Sequence, residues 1–148
     1  MSTGDIYNYL EVSERLITGG QPTADQLRDA AAEGFTAVIN LATTNPPYSL
    51  DGEGELVESL GMTYDHIPVD WGNPTDADFA AFEAAMNRLA GEKLLIHCAA
   101  NYRVTAFYSL YAHKHLGWTD QQAESFRAQI WTGSDYPIWE AFIAKHTA

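Results

Sequence analysis

The chain has 148 residues, 46% of them hydrophobic and 19% charged. That is enough for one ordinary domain with a real core and too little for two comfortable ones. Twenty Asp and Glu against eight Lys and Arg give a net charge of −12, a field that repels nucleic acid and anionic membrane surfaces, so neither is expected as a partner.

No uncharged apolar run reaches the ~18 residues of a membrane span. The start, MSTGDIYNYLEVSERL, lacks the basic and apolar regions of a secretory signal. A cytoplasmic protein is therefore expected. One cysteine excludes an intramolecular disulfide and a cysteine-built metal site.

Strand-like and helix-like segments alternate along the chain. Arg15-Leu16-Ile17 leads into Gly19-Gly20-Gln21-Pro22, a strand end and a turn. Thr23 and Gln26 read as a capping box that opens a helix buried through Leu27, Ala30 and Ala31 and ended by Gly34. Ala37-Val38-Ile39 is a short apolar run, as expected of a strand covered on both faces. After the turn-rich Thr43-Thr44-Asn45-Pro46-Pro47, a short helix is expected around 55–60, ending at Gly61.

Residues 64–69 read as another strand, with Pro68 at its end or edge. A loop follows at Asp70-Trp71-Gly72-Asn73-Pro74, and Thr75 caps a helix with the apolar stripe Phe79, Phe82, Met86 and Leu89. Leu94-Leu95-Ile96 is the most buried-looking strand and runs straight into His97-Cys98. The next helix carries Val104, Phe107, Tyr108 and Tyr111 on one face and ends at Gly117. Thr119 and Gln122 form a second capping box, before a helix with Ala123, Phe126 and Ile130 inward; a last helix carries Trp139, Phe142 and Ile143. The pattern predicts one domain over 1–148, an α/β fold with a mainly parallel sheet flanked by helices.

In open α/β sheets ligands bind at the carboxyl ends of strands, and Cys98 falls there. The loop Ala99-Ala100-Asn101-Tyr102-Arg103 follows, with a helix behind it. Backbone N–H groups of such a loop form an anion-binding nest, and the same field favours a thiolate. Arg103 offers a planar fork suited to an oxyanion. Asn101 tolerates the left-handed conformation that a tight cradle needs. A buried structural cysteine beside a surface-paired Arg is the competing reading.

The segment LLIHCAANYRVTAF resembles the phosphate-binding loop of cysteine-dependent protein-tyrosine and dual-specificity phosphatases. ITGGQPTADQL, AVINLAT and YDHIPVD resemble the small bacterial branch of that superfamily. The resemblance, from Ile17 to Gly117, implies the tyrosine-phosphatase-like fold and a phosphoester hydrolase working through a phosphocysteine, without metal or cofactor. It implies Cys98 as nucleophile and Thr105 as the hydroxyl that assists thiolate release. Ala99, Ala100, Asn101, Tyr102 and Arg103 would hold the phosphoryl oxygens, and Asp70, 28 residues before Cys98, would be the general acid. The substrate would be a phosphorylated small molecule or a phosphoprotein.

The family spaces its Cys and Arg by five residues. Here four separate Cys98 from Arg103, and Val104 stands at the family's Arg position. Rhodanese-type sulfurtransferases have the shorter spacing and carry a persulfide on the cysteine; Cys98, Asn101, Arg103, Leu110 and Gly117 fit that pattern loosely. A pseudophosphatase that binds an anion or a partner without turnover is the third reading.

Other residues are weaker candidates. Asp76 and Asp78 lie in a helix first turn, where they complement the dipole. His97 precedes the nucleophile and points to the opposite side of the strand, which suits an orienting role rather than proton transfer. Tyr102 and Trp71 either wall the pocket or simply pack, and Thr43, Thr44 and Asn45 are placed to rim the site. His113 and His115 face different sides of a helix and make no metal pair.

Overall fold

The computed structural model describes residues 2–44, 49–132 and 135–147. A five-stranded sheet runs in the order β1-β2-β5-β3-β4. Its strands are β1 (Leu10–Ser13), β2 (Leu16–Gly19), β3 (Ala37–Asn40), β4 (Thr63–His66) and β5 (Leu94–His97). β2, β5, β3 and β4 are parallel, and β1 pairs antiparallel with β2 along one edge.

The helices are α1 (Ala24–Ala32), α2 (Glu53–Ser59), α3 (Asp76–Arg88), α4 (Tyr102–His115), α5 (Asp120–Ala128) and α6 (Pro137–Thr147). The expected α/β class and mainly parallel sheet are observed. The β1–β2 hairpin and its antiparallel edge were not expected from the sequence. β4 stops at His66 rather than running to Val69.

The two faces of the sheet are read directly from strand alternation. Leu94, Ile96 and Cys98 join Ile39, Leu41, Phe79, Phe82, Val104 and Phe107 in the larger core. Leu95 joins Val38, Ile17, Leu27 and Val57 in the smaller core on the other side. α4 is buried along its whole first half, from Arg103 to Leu110, as expected of a helix enclosed by other elements rather than lying on a surface.

Three helices start on the capping threonines. Thr23, Thr75 and Thr119 each accept from the backbone three residues on, at 3.1 Å in every case. The reciprocal partners are Gln26, Asp78 and Gln122.

β5 sits between β2 and β3, so its carboxyl end lies in the middle of one rim of the sheet. Gly20 makes the close approach there. A Cβ at this position would lie 2.6 Å from the Ala99 carbonyl oxygen and 2.8 Å from the Tyr7 ring. Gly20→Ala is expected to lower stability by about 1–3 kcal/mol, the usual cost of overpacking. The urea midpoint measures this; an unchanged midpoint would mean that the 98–102 turn accommodates the methyl group.

Candidate active site

Cys98 follows the last residue of β5, is 1% exposed, and donates its N–H to Gly19 at 3.2 Å. The turn beyond it is fixed from outside. The Ala99 carbonyl accepts from the Gln21 N–H at 3.0 Å, and the Ala100 carbonyl from Asn8 Nδ2 at 2.9 Å. Asn101 takes the left-handed conformation, with φ 68°. Its Nδ2 donates to the Asn8 carbonyl at 2.9 Å and to Thr18 Oγ1 at 3.0 Å.

That placement has a consequence for α4. Asn101 is its N-cap residue, but its side chain makes no capping bond. The N–H groups of Ala99, Ala100, Tyr102, Arg103 and Val104 find no protein acceptor among the described residues. Unpaired N–H groups gathered at a helix start form a partial positive charge beside Cys98.

Arg103 is 8% exposed and donates from Nη1 to the Val69 carbonyl at 2.8 Å. Among the described residues no carboxylate pairs with it. Val69 precedes Asp70, so Arg103 ties the loop before α3 to the turn after β5. Asp70 is exposed, and its Oδ1 accepts from the Gly72 N–H at 2.9 Å.

Thr105 is bonded within the start of α4 and to Trp131. Its hydroxyl donates to the Asn101 carbonyl at 2.8 Å and accepts from Trp131 Nε1 at 2.9 Å; no hydrogen bond joins it to Cys98. Its position one turn inside α4 satisfies a backbone carbonyl four residues back. Val104, at the family's Arg position, is fully buried in the larger core.

Tyr102 packs on its own domain, face to face with Trp131 at 5.1 Å and 2°. Trp71 lies against Tyr102, Trp131, Tyr136 and Trp139, with centroids 5.1–5.8 Å away. Trp139 Nε1 donates to the Trp71 carbonyl at 2.7 Å. Asp76 pairs with Lys145 and His146, and Asp78 serves the Thr75 cap. Thr43 and Thr44 are exposed beyond the end of β3; Asn45, with Pro46 and Pro47, lies outside the described residues. Among the described residues, no three His, Cys, Asp or Glu side chains gather as metal ligands.

His97 is completely buried and turns to the side of the sheet away from Cys98. There it meets a residue that sequence reasoning missed. Glu53, 5% exposed at the first position of α2, lies 2.6 Å from His97 Nε2 through Oε2 and accepts from Gln21 Nε2 at 2.6 Å through Oε1. The one available signal was an acidic residue at a helix start after Gly52, which is also what a plain dipole preference produces.

Burial pushes the Glu53 carboxyl up. The His97 hydrogen bond and charge, then Gln21 and Tyr64, outweigh it and hold the group below its ordinary 4.5. Burial, followed by the Glu53 charge, pushes the Tyr64 phenol up to about 12 against the opposing bond from Asn40.

The sign for stability follows from linkage. The unfolded chain takes up the Glu53 proton first, so the stabilisation is present above 4.5 and is lost as pH falls below it. The urea midpoint of the wild type is expected to fall more steeply between about pH 5 and about pH 3 than that of Glu53→Gln. Parallel slopes would remove Glu53 from the acid limb.

The family described as "Beta-lactamase hydrolase-like protein, phosphatase-like domain" matches residues 8–114. The beta-lactamase hydrolase-like proteins of Xylella fastidiosa (Temecula1) and Agrobacterium fabrum (C58) are 31% identical over 105 residues and 30% over 104. Each match covers 68% of this chain and 24% of the relative, so the chain spans about a quarter of the length of these curated relatives.

A DUF442 protein from Shewanella putrefaciens CN-32, named as a candidate phosphatase, is similar at TM-score 0.88 and 33% identity, over 96% of this chain and 90% of its own. The fold is shared with the core catalytic domain of the PP-IP phosphatase SIW14 of S. cerevisiae, at TM-score 0.77 and 12% identity, over 95% and 86% of the two chains. It is also shared with P. aeruginosa TpbA in complex with pTyr, at TM-score 0.73 and 15% identity, over 95% and 88%.

Proposed function

The chain belongs to the phosphatase-like domain family of the beta-lactamase hydrolase-like proteins, and from that premise we propose that it is a cysteine-dependent phosphatase acting on a phosphomonoester. The observation that carries this reading is the turn after Cys98. Five of its N–H groups, those of Ala99, Ala100, Tyr102, Arg103 and Val104, have no protein acceptor among the described residues, α4 starts without a side-chain cap, and Arg103 has a neutral carbonyl as its partner. Donors aimed at one place are what a phosphoryl group and its transition state require.

In this mechanism the Cys98 thiolate attacks phosphorus. An S–P bond forms while the bond to the ester oxygen breaks, and Asp70 gives that oxygen its proton. A water molecule then attacks the phosphocysteine and surrenders a proton to Asp70, and the S–P bond breaks to return the thiolate. Arg103 and the turn amides hold the equatorial oxygens throughout. The loop connection supports the Asp70 assignment, since Arg103 holds the carbonyl of the residue before it. Thr105 acts here through the start of α4, in keeping with its bonds to Asn101 and Trp131. The substrate is a phosphorylated small molecule or a phosphoprotein.

Purified protein is expected to hydrolyse an aryl phosphate, and Cys98→Ser to abolish turnover. Arg103→Lys, which loses the fork, is expected to cost about 100-fold or more. Undiminished turnover in Cys98→Ser removes the mechanism. Asp70→Asn is expected to slow esters with poor leaving groups more than those with good ones; equal losses place Asp70 outside proton transfer.

A sulfurtransferase reading is favoured by one feature, the four-residue spacing that tightens the turn around the sulfur. In that chemistry the thiolate attacks the outer sulfur of thiosulfate, sulfite leaves, and the persulfide passes its sulfur to cyanide. Thiocyanate formation without aryl-phosphate turnover would replace the first reading with this one. Neither activity, with phosphate bound, would make the domain a pseudophosphatase.

A further inference from the structure

Asn101 opens α4 with an unpaired acceptor beside a row of unpaired donors. It is completely buried, and its Oδ1 has no hydrogen-bond partner among the described residues. The N–H groups of Arg103 and Val104, which an N-cap side chain ordinarily serves, have no protein acceptor among those residues either. To join the two, Asn101 would leave its left-handed φ of 68° for the extended backbone of a capping residue and turn Oδ1 onto its own helix. That closure would take donors away from an oxyanion.

Two residues from elsewhere in the chain oppose it. Asn101 Nδ2 donates to the Asn8 carbonyl at 2.9 Å and to Thr18 Oγ1 at 3.0 Å. The direction of both bonds is fixed. Thr18 Oγ1 gives its one proton to the Leu10 carbonyl at 2.8 Å, so toward Asn101 it only accepts, and a carbonyl only accepts. Thr18 is completely buried in β2. Asn8 has a positive φ of 52° and is anchored by its neighbour Tyr7, whose carbonyl accepts from the Gly20 N–H at 2.7 Å. Its own Nδ2 donates to the Ala100 carbonyl at 2.9 Å. An asparagine that served only the bend before β1 would bond to its own segment. This one spends its carbonyl and its amide on residues 93 and 92 positions away.

We propose that Asn8 and Thr18 are positioning residues: they hold the Asn101 side chain off the start of α4, so that the N–H groups there stay open to an oxyanion. The inference rests on the reading of the Cys98 turn as an oxyanion site, and it adds what keeps that site from closing on itself.

Inorganic phosphate, titrated at pH 7 against the amide 15N resonances of Ala99, Ala100 and Tyr102, reads the turn directly and requires no turnover. Thr18→Val removes the hydroxyl with little change of shape, and Thr18→Ser keeps it. Thr18→Val is expected to bind phosphate about fivefold more weakly than the wild type, the effect of about one hydrogen bond, and Thr18→Ser to stay within about twofold. Wild-type affinity in Thr18→Val overturns the proposal. So does equal weakening in Thr18→Ser, since the loss would then come from the altered strand and not from the hydroxyl.

Should Thr18→Val fail to fold by circular dichroism, Asn8→Gly decides. Glycine keeps the positive φ and loses only the amide that ties this segment to the turn. About fivefold weaker binding supports the proposal, and unchanged affinity overturns it. Turn resonances that do not respond to phosphate in the wild type overturn it together with the oxyanion reading. A wild-type response that persists unchanged in the variants overturns it alone and leaves the phosphatase assay intact.

Discussion

The turn from β5 into α4 is held by groups outside it, and this leaves most of its own N–H groups without an acceptor among the described residues. Asn8 and Gln21 bind its carbonyls, and Asn101 gives its amide to Asn8 and Thr18. Elsewhere the chain closes helix starts on themselves: α1, α3 and α5 each begin with a threonine in a reciprocal capping box. α4 has the residue type that could cap, an asparagine, but spends its side chain on the neighbouring segment. Leaving a buried donor without a partner costs about 1–3 kcal/mol. A row of such donors is tolerable where an anion or solvent reaches them, and the enclosure of α4 holds the row in place.

The chain is strongly anionic, and Arg28, Arg88, Lys114 and Lys145 each meet a carboxylate. Arg103, like Arg15, Lys93 and Arg127, is bonded to a neutral oxygen, and of these four it alone is buried. Among the described residues no carboxylate meets its guanidinium, inside a protein of net charge −12. Arg103 sits at the second position of a rigid, buried helix, so the direction of the fork is set by α4 rather than by a mobile loop. The left-handed Asn101 sets where that helix begins.

Much of this was readable because its signals are local. The three threonine caps depend on spacings of three residues, and the Cys98 turn on a strand, a short loop and a helix in sequence. The β1–β2 hairpin was not readable: Leu10–Ser13 alternates apolar and polar over only four residues at an edge, and its apolar positions are no more than half-buried. β4 was read three residues too long, because an apolar Ile67 and Val69 flank Pro68 where the pairing has already ended. Glu53 was missed because its partner comes from 44 residues away, and its acidic neighbours Asp51 and Glu55 give it no local distinction. The partners of the Thr105 hydroxyl are hidden for the same reason, since one of them is Trp131, 26 residues on.

The long-range contacts that the sequence concealed are the ones that join the parts of the site. Arg103 holds the carbonyl of Val69, and Trp139 holds the carbonyl of Trp71. Asp70 lies between these two fixed points, on a loop whose ring Trp71 is packed among Tyr102, Trp131, Tyr136 and Trp139. Tyr102 belongs to the Cys98 turn, and Trp131 also binds Thr105 at the start of α4. One aromatic cluster therefore touches the loop before α3, the turn after β5 and the segment after α5. Behind the strand, His97 and Glu53 join the same turn to α2. Cys98 is thus supported from both faces of the sheet, by an apolar cluster on one and the His97–Glu53 hydrogen bond on the other. Aromatic packing changes little with pH, whereas the Glu53 carboxylate, held below its ordinary value by its hydrogen-bond partners, is protonated in acid. The front of the site is accordingly a scaffold of packed rings, and behind the strand the acid sensitivity of the support lies with the Glu53 carboxylate.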